Sequence, residues 1–292
     1  MECNLLRHLH SIQQRSLTKL GLPKIIHQTW KTEQVPNHWQ ISQDEWIRLH
    51  PGWTYCLWTD EDIESYVRLT RPHVWSIFQS LTYAIQRVDL FRYFIMHDFG
   101  GIYSDLDIVP LKCIESFLAP GNIFVVESAN SSGVYTNALL LSTVTQESKR
   151  FWSTIIKHVS GWPHSFSEEC MVAFRHMHIM MSTGPLALTK IIQNTDEIIT
   201  VLPKSLWNPY SLDQAGQIES QTSSKAIVQI LEGSSWHQLD STVVSYVGTH
   251  RYKLILIVVL LCLYYIISSQ EIRHRFYNLL KRSNRRQDIQ RK

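Results

Sequence analysis

The stretch DLFRYFIMHDFGGIYSDLDIVP, residues Asp89–Pro110, joins a helical pattern directly to a strand pattern. Apolar residues recur every three or four positions from Thr82 to Phe99, and this period predicts a helix. Two glycines follow at a place where helices commonly end. The next residues, Ile102–Val109, predict a strand that Pro110 closes. The fold is therefore built around a helix that runs through two glycines into a strand.

Charged residues interrupt this largely apolar stretch, and four of them are candidates for a site: Asp89, Arg92, Asp105 and Asp107. Burial of a charge is costly unless a group of matching charge lies beside it, so we expect a ligand among them. Asp89 and Arg92 lie one turn apart on the same helix face. At a surface they would form an ordinary ion pair worth roughly a few tenths of a kcal/mol, but their neighbours are apolar, which favours a functional site.

Asp105 and Asp107 form a DxD pattern near the end of the predicted strand. Pro110, soon afterwards, favours a local turn at this point. Two carboxylates at a turn suit a hard divalent cation that keeps positions open for phosphate oxygens. A DxD pattern alone more often marks a solvated turn, but the charged helix that precedes this one favours a metal site.

Further strands and helices alternate around this unit. Strands are predicted at Lys24–Trp30, Trp53–Trp58 and Ile123–Val126, helices at Ser148–Val159 and Pro185–Gln193, and a proline-rich loop at VLPKSLWNPYS, residues 201–211. Such alternation predicts an α/β fold with a mostly parallel sheet flanked by helices. Ligands of such sheets bind at the carboxyl ends of the strands, where the DxD pattern falls.

Charge is distributed unevenly along the 292 residues. The net charge is +3, but residues 251–292 carry +8 and the first 250 residues carry −5. An acidic body argues against binding to nucleic acid. The five cysteines are scattered, with no CxxC spacing, and therefore signal neither a zinc site nor a disulfide framework.

An apolar run near the C-terminus, Leu254–Ile267, extends to 18 residues, 252–269, when its flanks are included. This length predicts a transmembrane helix, with a buried core helix as the alternative. The basic tail that follows, 270–292, would lie in the cytosol by the positive-inside rule, which places the body in the lumen of the secretory pathway, such as the Golgi. The first 20 residues show no signal sequence, so a tail-anchored protein with a cytosolic body, or an anchor upstream of Met1, stays open.

Four motifs together resemble one enzyme family: IHQTW (26–30), RVDLFRYFIMHDFGGIYSDLD (87–107), STGPLALT (182–189) and GSSWH (233–237). The chain resembles the DXD-containing sugar transferases of glycosyltransferase family 32. That family includes yeast-type α-mannosyltransferases and the catalytic subunit of mannosyl-inositol-phosphoryl-ceramide synthase. The resemblance implies a GT-A-like fold over residues 21–245, after an N-terminal lead at 1–20, and sugar transfer with retained anomeric configuration.

The resemblance also implies roles in binding the nucleotide-sugar donor. Trp30 would lie against the nucleotide base, Asp89 would bind the sugar hydroxyls, and Arg92 would meet the sugar or the diphosphate. Tyr103 is a further candidate for the same pocket. GDP-mannose is the donor that the family favours.

The metal site follows from the same resemblance. Asp105 would contact the ribose and the metal shell, and Asp107 would bind Mn²⁺ or Mg²⁺ directly. Ser235 and Trp236 would close over the diphosphate, and His237 could add a metal contact. The acceptor implied is a membrane glycolipid of the inositol-phosphoryl-ceramide type, with a glycoprotein N-glycan as the alternative.

Two departures from the family pattern stand out. Relatives place a His shortly before the Gly-Ser-Trp segment, where this chain has Ile230, and Asn137 is not followed by the family's His-Pro. A catalytically inert regulatory subunit is therefore a second hypothesis, as is an enzyme that needs a partner subunit. A nucleotidyltransferase or a phosphatase would need a phosphate-binding Gly loop or an early Asp nucleophile, and neither is present.

Overall fold

The computed structural model describes residues 8–12, 16–128, 132–163, 169, 174–208, 225–231, 250 and 260. The chain divides into two units, Met1–Trp236 and His237–Lys292, and the second contains only His250 and Leu260 of the described residues. Within the described part of the chain, no helix is both long and apolar enough to cross a membrane. The predicted membrane helix at 252–269, apart from Leu260, and the basic tail at 270–292 lie outside the described residues.

The described residues form eight strands, eight helices and one turn of 3₁₀-helix at Ile114–Phe117, besides a short helical segment at residues 8–12. The strands are β1 Ile25–Thr29, β2 Thr54–Trp58, β3 Gly101–Ser104, β4 Ile108–Pro110, β5 Ile123–Glu127, β6 Tyr135–Ser142, β7 Thr200–Leu202 and β8 Val228–Ile230. The helices are α1 Asn37–Leu49, α2 Asp60–Thr70, α3 Trp75–Ser80, α4 Ala84–Asp98, α5 Gln146–Gly161, α6 Arg175–Ser182, α7 Pro185–Gln193 and α8 Lys204–Trp207.

Six strands form the main sheet, in the order β2-β1-β3-β6-β5-β7. Strand β1 pairs in parallel with β2 and β3, and β5 pairs in parallel with β7, whereas β6 runs antiparallel to both of its neighbours. Five of the six strands therefore point the same way. The predicted α/β fold with a mostly parallel sheet and flanking helices is confirmed.

Alternate residues of the strands enter two separate hydrophobic clusters. In β5, for example, Ile123 and Val125 join one cluster, and Phe124 and Val126 join the other. Helix α4 packs into the first of these clusters, with most of its residues fully buried. A sheet covered on both faces accounts for the near-continuous apolar runs in its strands.

The predicted helix and its glycine ending are confirmed, but the strand that follows is shorter than predicted. Gly100 takes a left-handed φ of 62° and its N–H donates to the carbonyl of Ile95, 3.1 Å away. The expected single strand at Ile102–Val109 is wrong. The chain turns at residues 105–107, so β3 ends before the DxD pattern and β4 leaves the main sheet to pair with β8.

Two further parts of the prediction need correction. Residues 201–211 were expected to form a loop, but β7 and α8 occupy the described part of that segment. Strand β6 was not predicted at all, although it is central to the sheet and pairs with the whole length of β3. Strand β7 pairs with β5, which is distant in sequence, and β6 places apolar residues on both faces of the sheet, so local periodicity shows neither strand.

Candidate functional site

The DxD pattern lies in the turn that follows β3, at the carboxyl edge of the sheet. Hydrogen bonds to the backbone of Asp105 hold this turn in place. The Asp105 N–H donates to the Ala138 carbonyl at 2.8 Å. The Asp105 carbonyl accepts from the Ile108 N–H at 3.1 Å and from Nε2 of the Gln28 side chain at 3.3 Å. The turn is thus attached to β6 on one side and to β1 on the other. This arrangement holds the two carboxylates at the edge where ligands of such sheets bind.

Asp107 carries a carboxylate oxygen that is left without a partner. Its backbone carbonyl accepts a hydrogen bond from the Leu231 N–H at 2.7 Å, but Oδ1 is shielded from solvent and has no hydrogen-bond partner among the described residues. Burial, followed by the negative charge of Asp105, raises the pKa of Asp107 to about 7. A shielded carboxylate oxygen beside a second carboxylate fits a divalent cation, which would supply the missing partner.

Asp105, in contrast, is held by its neighbours. Its Oδ1 accepts a hydrogen bond from the Tyr103 hydroxyl at 2.6 Å and lies 3.4 Å from Nη1 of Arg92. The Tyr103 hydroxyl also lies 3.1 Å from Oγ1 of Thr29, and its ring lies 4.5 Å beneath the Arg92 guanidinium. Tyr103, predicted as a pocket residue, is fully buried and contacts the site through Asp105 and Arg92.

Asp89 and Arg92 form a buried ion pair rather than a surface pair. Their side chains lie 3.1 Å apart, and the two residues are only 3% and 2% exposed. Burial raises the pKa of Asp89 to about 6, although Arg92, Thr183 and Asn137 act in the opposite direction. The negative charges of Asp105 and Asp89 outweigh burial and raise the pKa of Arg92, which is therefore a permanent cation.

Two further side chains bind Asp89 directly. Asn137 Nδ2 donates to Oδ1 at 3.0 Å, and Thr183 Oγ1 donates to Oδ2 at 2.9 Å. Arg92 in turn donates from Nη1 to the carbonyl of Asn137 at 2.7 Å. The sequence did not identify Thr183, although STGPLALT was one of the matching motifs, and it noted Asn137 only as part of an incomplete motif.

Trp30 lies just beyond the end of β1, at the same edge of the sheet as the DxD turn. It is half-buried, and its ring meets that of Trp39 edge-on, with centroids 5.0 Å apart. The two tryptophans share an apolar cluster with Val35 and with Leu106, the residue between the two aspartates. A half-buried aromatic ring beside the DxD turn offers a flat face on which a base can stack.

The structure thus brings together the predicted residues Asp89, Arg92, Tyr103, Asp105 and Asp107. Of the other predicted residues, Trp30 lies at the same edge of the sheet, and Ser235, Trp236 and His237 lie outside the described residues. Among the described residues, no group of three or more His, Cys, Asp and Glu side chains is arranged to hold a metal.

The departure at Ile230 falls beside the site. Ile230 pairs with Ile108 in the two-stranded sheet, immediately after the DxD turn, and the next residue, Leu231, binds the Asp107 carbonyl. A His at position 230 would therefore lie close in space to the turn that carries the two aspartates.

Comparison with known proteins agrees with the resemblance found in the sequence. Residues 36–124 match the model of the glycosyltransferase sugar-binding region containing the DXD motif. The chain is 32% identical over 232 residues to inositol phosphoceramide mannosyltransferase 3 of Schizosaccharomyces pombe, covering 79% of this chain and 60% of the relative. It is 29% identical over 239 residues to a mannosyl phosphorylinositol ceramide synthase of Saccharomyces cerevisiae, covering 78% and 56%. The predicted resemblance is confirmed.

Among solved structures, the PaToxG glycosyltransferase aligns with a TM-score of 0.44 and 13% identity, covering 66% of this chain and 77% of that one. The chain spans about 60% of the length of the first curated relative that it matches.

Proposed function

Because residues 36–124 carry the DXD-containing sugar-binding region of glycosyltransferases, we propose that this protein is a metal-dependent, retaining glycosyltransferase with a GT-A-like fold. Its donor is a nucleotide sugar, with GDP-mannose favoured, and its acceptor is a hydroxyl of a membrane lipid of the inositol-phosphoryl-ceramide type. Support for the donor and the acceptor comes from the names of the relatives, two of which act in inositol phosphoceramide mannosylation.

The observation that carries this proposal is the shielded, partnerless Oδ1 of Asp107 beside the carboxylate of Asp105. These two carboxylates would hold Mn²⁺ or Mg²⁺. A bound divalent cation would neutralise the negative charge that develops on the leaving nucleoside diphosphate. The chain's own contribution is the hydrogen-bonded turn, which fixes the position of Asp107, while further hydrogen bonds hold the carboxylate of Asp105.

The remaining residues bind and orient the donor. Trp30 offers a ring for the base, and the permanent cation of Arg92 would meet the sugar or the diphosphate in a site with little water. Asp89 has both oxygens hydrogen-bonded already, yet each carboxylate oxygen can accept a second hydrogen bond from a sugar hydroxyl. By the family resemblance, Ser235 and Trp236 would close over the diphosphate, and His237 would add a metal contact.

No protein nucleophile is required in this scheme. The acceptor hydroxyl attacks the anomeric carbon on the face that the diphosphate leaves, and its proton passes to the departing phosphate oxygen, so the configuration is retained. The hydrogen bonds that Asp89 accepts from Asn137 and Thr183 stabilise its carboxylate and lower its reactivity as a nucleophile. Sugar recognition is therefore its proposed role.

We further propose that residues 252–269 attach the enzyme to a membrane of the secretory pathway, with the catalytic body in the lumen and the tail at 270–292 in the cytosol. The support is the length of the apolar run and the +8 charge of residues 251–292. Attachment would confine the enzyme and a lipid acceptor to one surface.

A catalytically inert regulatory subunit is the second candidate. The observation that favours it is Ile230, which occupies the place of a family His directly beside the DxD turn. The intact group of Asp89, Arg92, Asp105 and Asp107 argues against it, because a chain without catalysis has no need of a buried charge cluster.

The test is sugar transfer by membranes that contain the full chain and Mn²⁺, screened with GDP-mannose, UDP-glucose, UDP-galactose and UDP-GlcNAc. Lipid and N-glycan acceptors are supplied separately, with Asp107→Ala as the inactive control. Turnover of one donor that is lost in the variant supports the proposal and identifies the sugar. Silence of folded protein with every donor would favour the regulatory subunit.

A further inference from the structure

Asn137 and Thr183 hold the carboxylate of Asp89 from two different elements of the fold. Asn137 lies on β6 and binds Oδ1, while Thr183, between α6 and α7, binds Oδ2. We propose that Asn137 and Thr183 are positioning residues for donor-sugar recognition, which act by fixing the plane of the Asp89 carboxylate. This inference rests on the proposed function.

The hydrogen bonds of these two residues indicate that they act through Asp89 rather than on the substrate. The Thr183 hydroxyl donates its one proton to Asp89, and the Asn137 amide donates to Asp89 and to the Tyr93 hydroxyl, so their donors are already used within the protein. A carboxylate rotates freely about its terminal torsion unless both oxygens are held. Two donors, one on each oxygen, fix that rotation and thereby fix the directions in which further hydrogen bonds can be accepted.

Asn137 also connects this carboxylate to the cation. Its carbonyl accepts from Nη1 of Arg92 at 2.7 Å while its amide donates to Asp89. The same residue therefore sets the position of both members of the ion pair. A change in its backbone position would move the anion and the cation together.

Tyr93 closes the network on its buried side. Its hydroxyl donates to the Thr183 carbonyl at 2.7 Å and lies 3.3 Å from Nδ2 of Asn137. The network thus joins α4, β6 and the segment between α6 and α7 at one point. Contacts of this kind are a second layer of support, and they restrict how far the residues that touch a substrate can move.

The experiment compares Thr183→Val and Asn137→Ala with a matched control pair elsewhere. Thr143, 3% exposed, donates to the side chain of Asn122 at 2.9 Å, the same length as the Thr183 bond, at the other end of β6. Thr143→Val and Asn122→Ala therefore repeat the chemical changes away from the site. Thr183→Ser keeps the hydroxyl and serves as the rescue variant.

The measured quantity is the affinity of the full-length protein with Mn²⁺ for GDP-mannose and, separately, for GDP. We expect Thr183→Val and Asn137→Ala to weaken GDP-mannose binding about tenfold, as the loss of a hydrogen bond to a charged group implies. GDP binding should stay unchanged, because the base and diphosphate contacts are intact. Thr183→Ser and both control variants should keep the wild-type preference for GDP-mannose over GDP.

Other outcomes would overturn the inference. If Thr183→Val kept the full preference, or if it lost GDP and GDP-mannose binding equally, the residue would have no specific effect on the sugar. If the wild type bound neither compound, GDP-mannose would be refuted as the donor, and the positioning role proposed for it would fail as well. A wild type that binds GDP-mannose but transfers no sugar would leave the positioning role supported and the proposed reaction refuted.

Discussion

Nη1 of Arg92 lies 3.4 Å from Oδ1 of Asp105, so one guanidinium joins helix α4 to the turn that carries the DxD pattern. The other terminal nitrogen, Nη2, lies 3.1 Å from Asp89. With Asp107, the cluster holds three carboxylates and one cation, a formal charge of −2 when all are ionised. A single divalent cation would balance this charge, which agrees with the unsatisfied oxygen on Asp107.

Because Asp89 and Arg92 form a buried ion pair, we expect a large loss of stability when only the cation is removed. Arg92→Met would leave the Asp89 carboxylate buried without its counter-charge, which costs about 3–5 kcal/mol. The double variant Asp89→Asn/Arg92→Met should lose less, because no unpaired charge remains. Urea unfolding of the wild type, both single variants and the double variant measures this coupling. A loss below about 1 kcal/mol for Arg92→Met would contradict the buried pair.

We expect the free energy of unfolding to depend on the divalent cation through Asp107. Without metal, Asp107→Asn should be at least as stable as the wild type, because a shielded carboxylate with a raised pKa is replaced by a neutral side chain. Mn²⁺ at 100 times its dissociation constant should stabilise the wild type by about 2.7 kcal/mol and leave the variant unchanged. Thermal unfolding with Mn²⁺ and with EDTA measures this difference.

The control for that experiment is Asp44→Asn, on the exposed face of α1. It should respond to Mn²⁺ as the wild type does. Equal stabilisation of wild type and Asp107→Asn would place the cation elsewhere. Asp107→Ala should likewise abolish sugar transfer while the protein remains folded.

The sequence predicted the local part of this site correctly. Helix α4, its glycine ending and the turn at the DxD pattern follow from residues close together in the chain, so periodicity and turn chemistry reveal them. The resemblance added roles for Asp89 and Arg92 that spacing alone does not give. The apolar neighbours of these two residues indicated that their charges are buried, and both side chains are buried in the structure.

The supporting contacts were not predictable because they join distant segments. Asn137 lies 48 residues and Thr183 lies 94 residues from Asp89, and a hydrogen bond over such separations leaves no periodic trace. Strand β6, which carries Asn137, was missed for a different reason. Its apolar residues face both sides of the sheet and show no alternation.

We expect the addition of one methyl group at Gly101 to destabilise the fold by a steric clash. It has a φ of +84°, and a Cβ would lie 2.5 Å from the carbonyl oxygen of Ile25 in β1. Gly21 has a similar φ of +79° with open space around it, so Gly21→Ala isolates the backbone cost of about 1–2 kcal/mol. Gly101→Ala should lose about 1–3 kcal/mol more from the clash. Equal losses on urea unfolding would show that β1 and β3 can separate without penalty.

We expect the loss of the Trp30 ring to weaken the binding of the nucleotide. Stacking of a base on an aromatic ring contributes about 1–3 kcal/mol, so Trp30→Ala should weaken GDP binding roughly tenfold to hundredfold. Trp75→Ala is the control, because Trp75 is also half-buried but packs beneath Arg68 at the surface of another helix. Titration with GDP measures both. Unchanged affinity in Trp30→Ala would remove this residue from the nucleotide site.

His50 is a buried histidine whose surroundings admit one tautomer. The Ile114 N–H donates to Nε2 at 3.0 Å, so the ring proton lies on Nδ1 and points to the Trp46 carbonyl, also 3.0 Å away. Burial lowers the pKa of His50, with weaker opposing effects from the Trp46 carbonyl and Glu115. A second proton would place an N–H against the N–H of Ile114.

His50 therefore predicts a loss of stability in acid. In the unfolded chain its pKa is about 6.5, whereas the folded protein keeps it neutral to lower pH. The unfolded state thus binds more protons below pH 6.5, and stability should fall there by up to about 1.4 kcal/mol per pH unit. His50→Gln keeps an acceptor for Ile114 but cannot be protonated. The slope should therefore decrease by the amount that corresponds to about one proton taken up on unfolding. Urea unfolding between pH 5 and 8 measures the slope, with exposed His73→Gln as control. If His50→Gln and the wild type lose stability in parallel, the histidine is protonated in the folded state, and the hydrogen bond from Ile114 cannot be present.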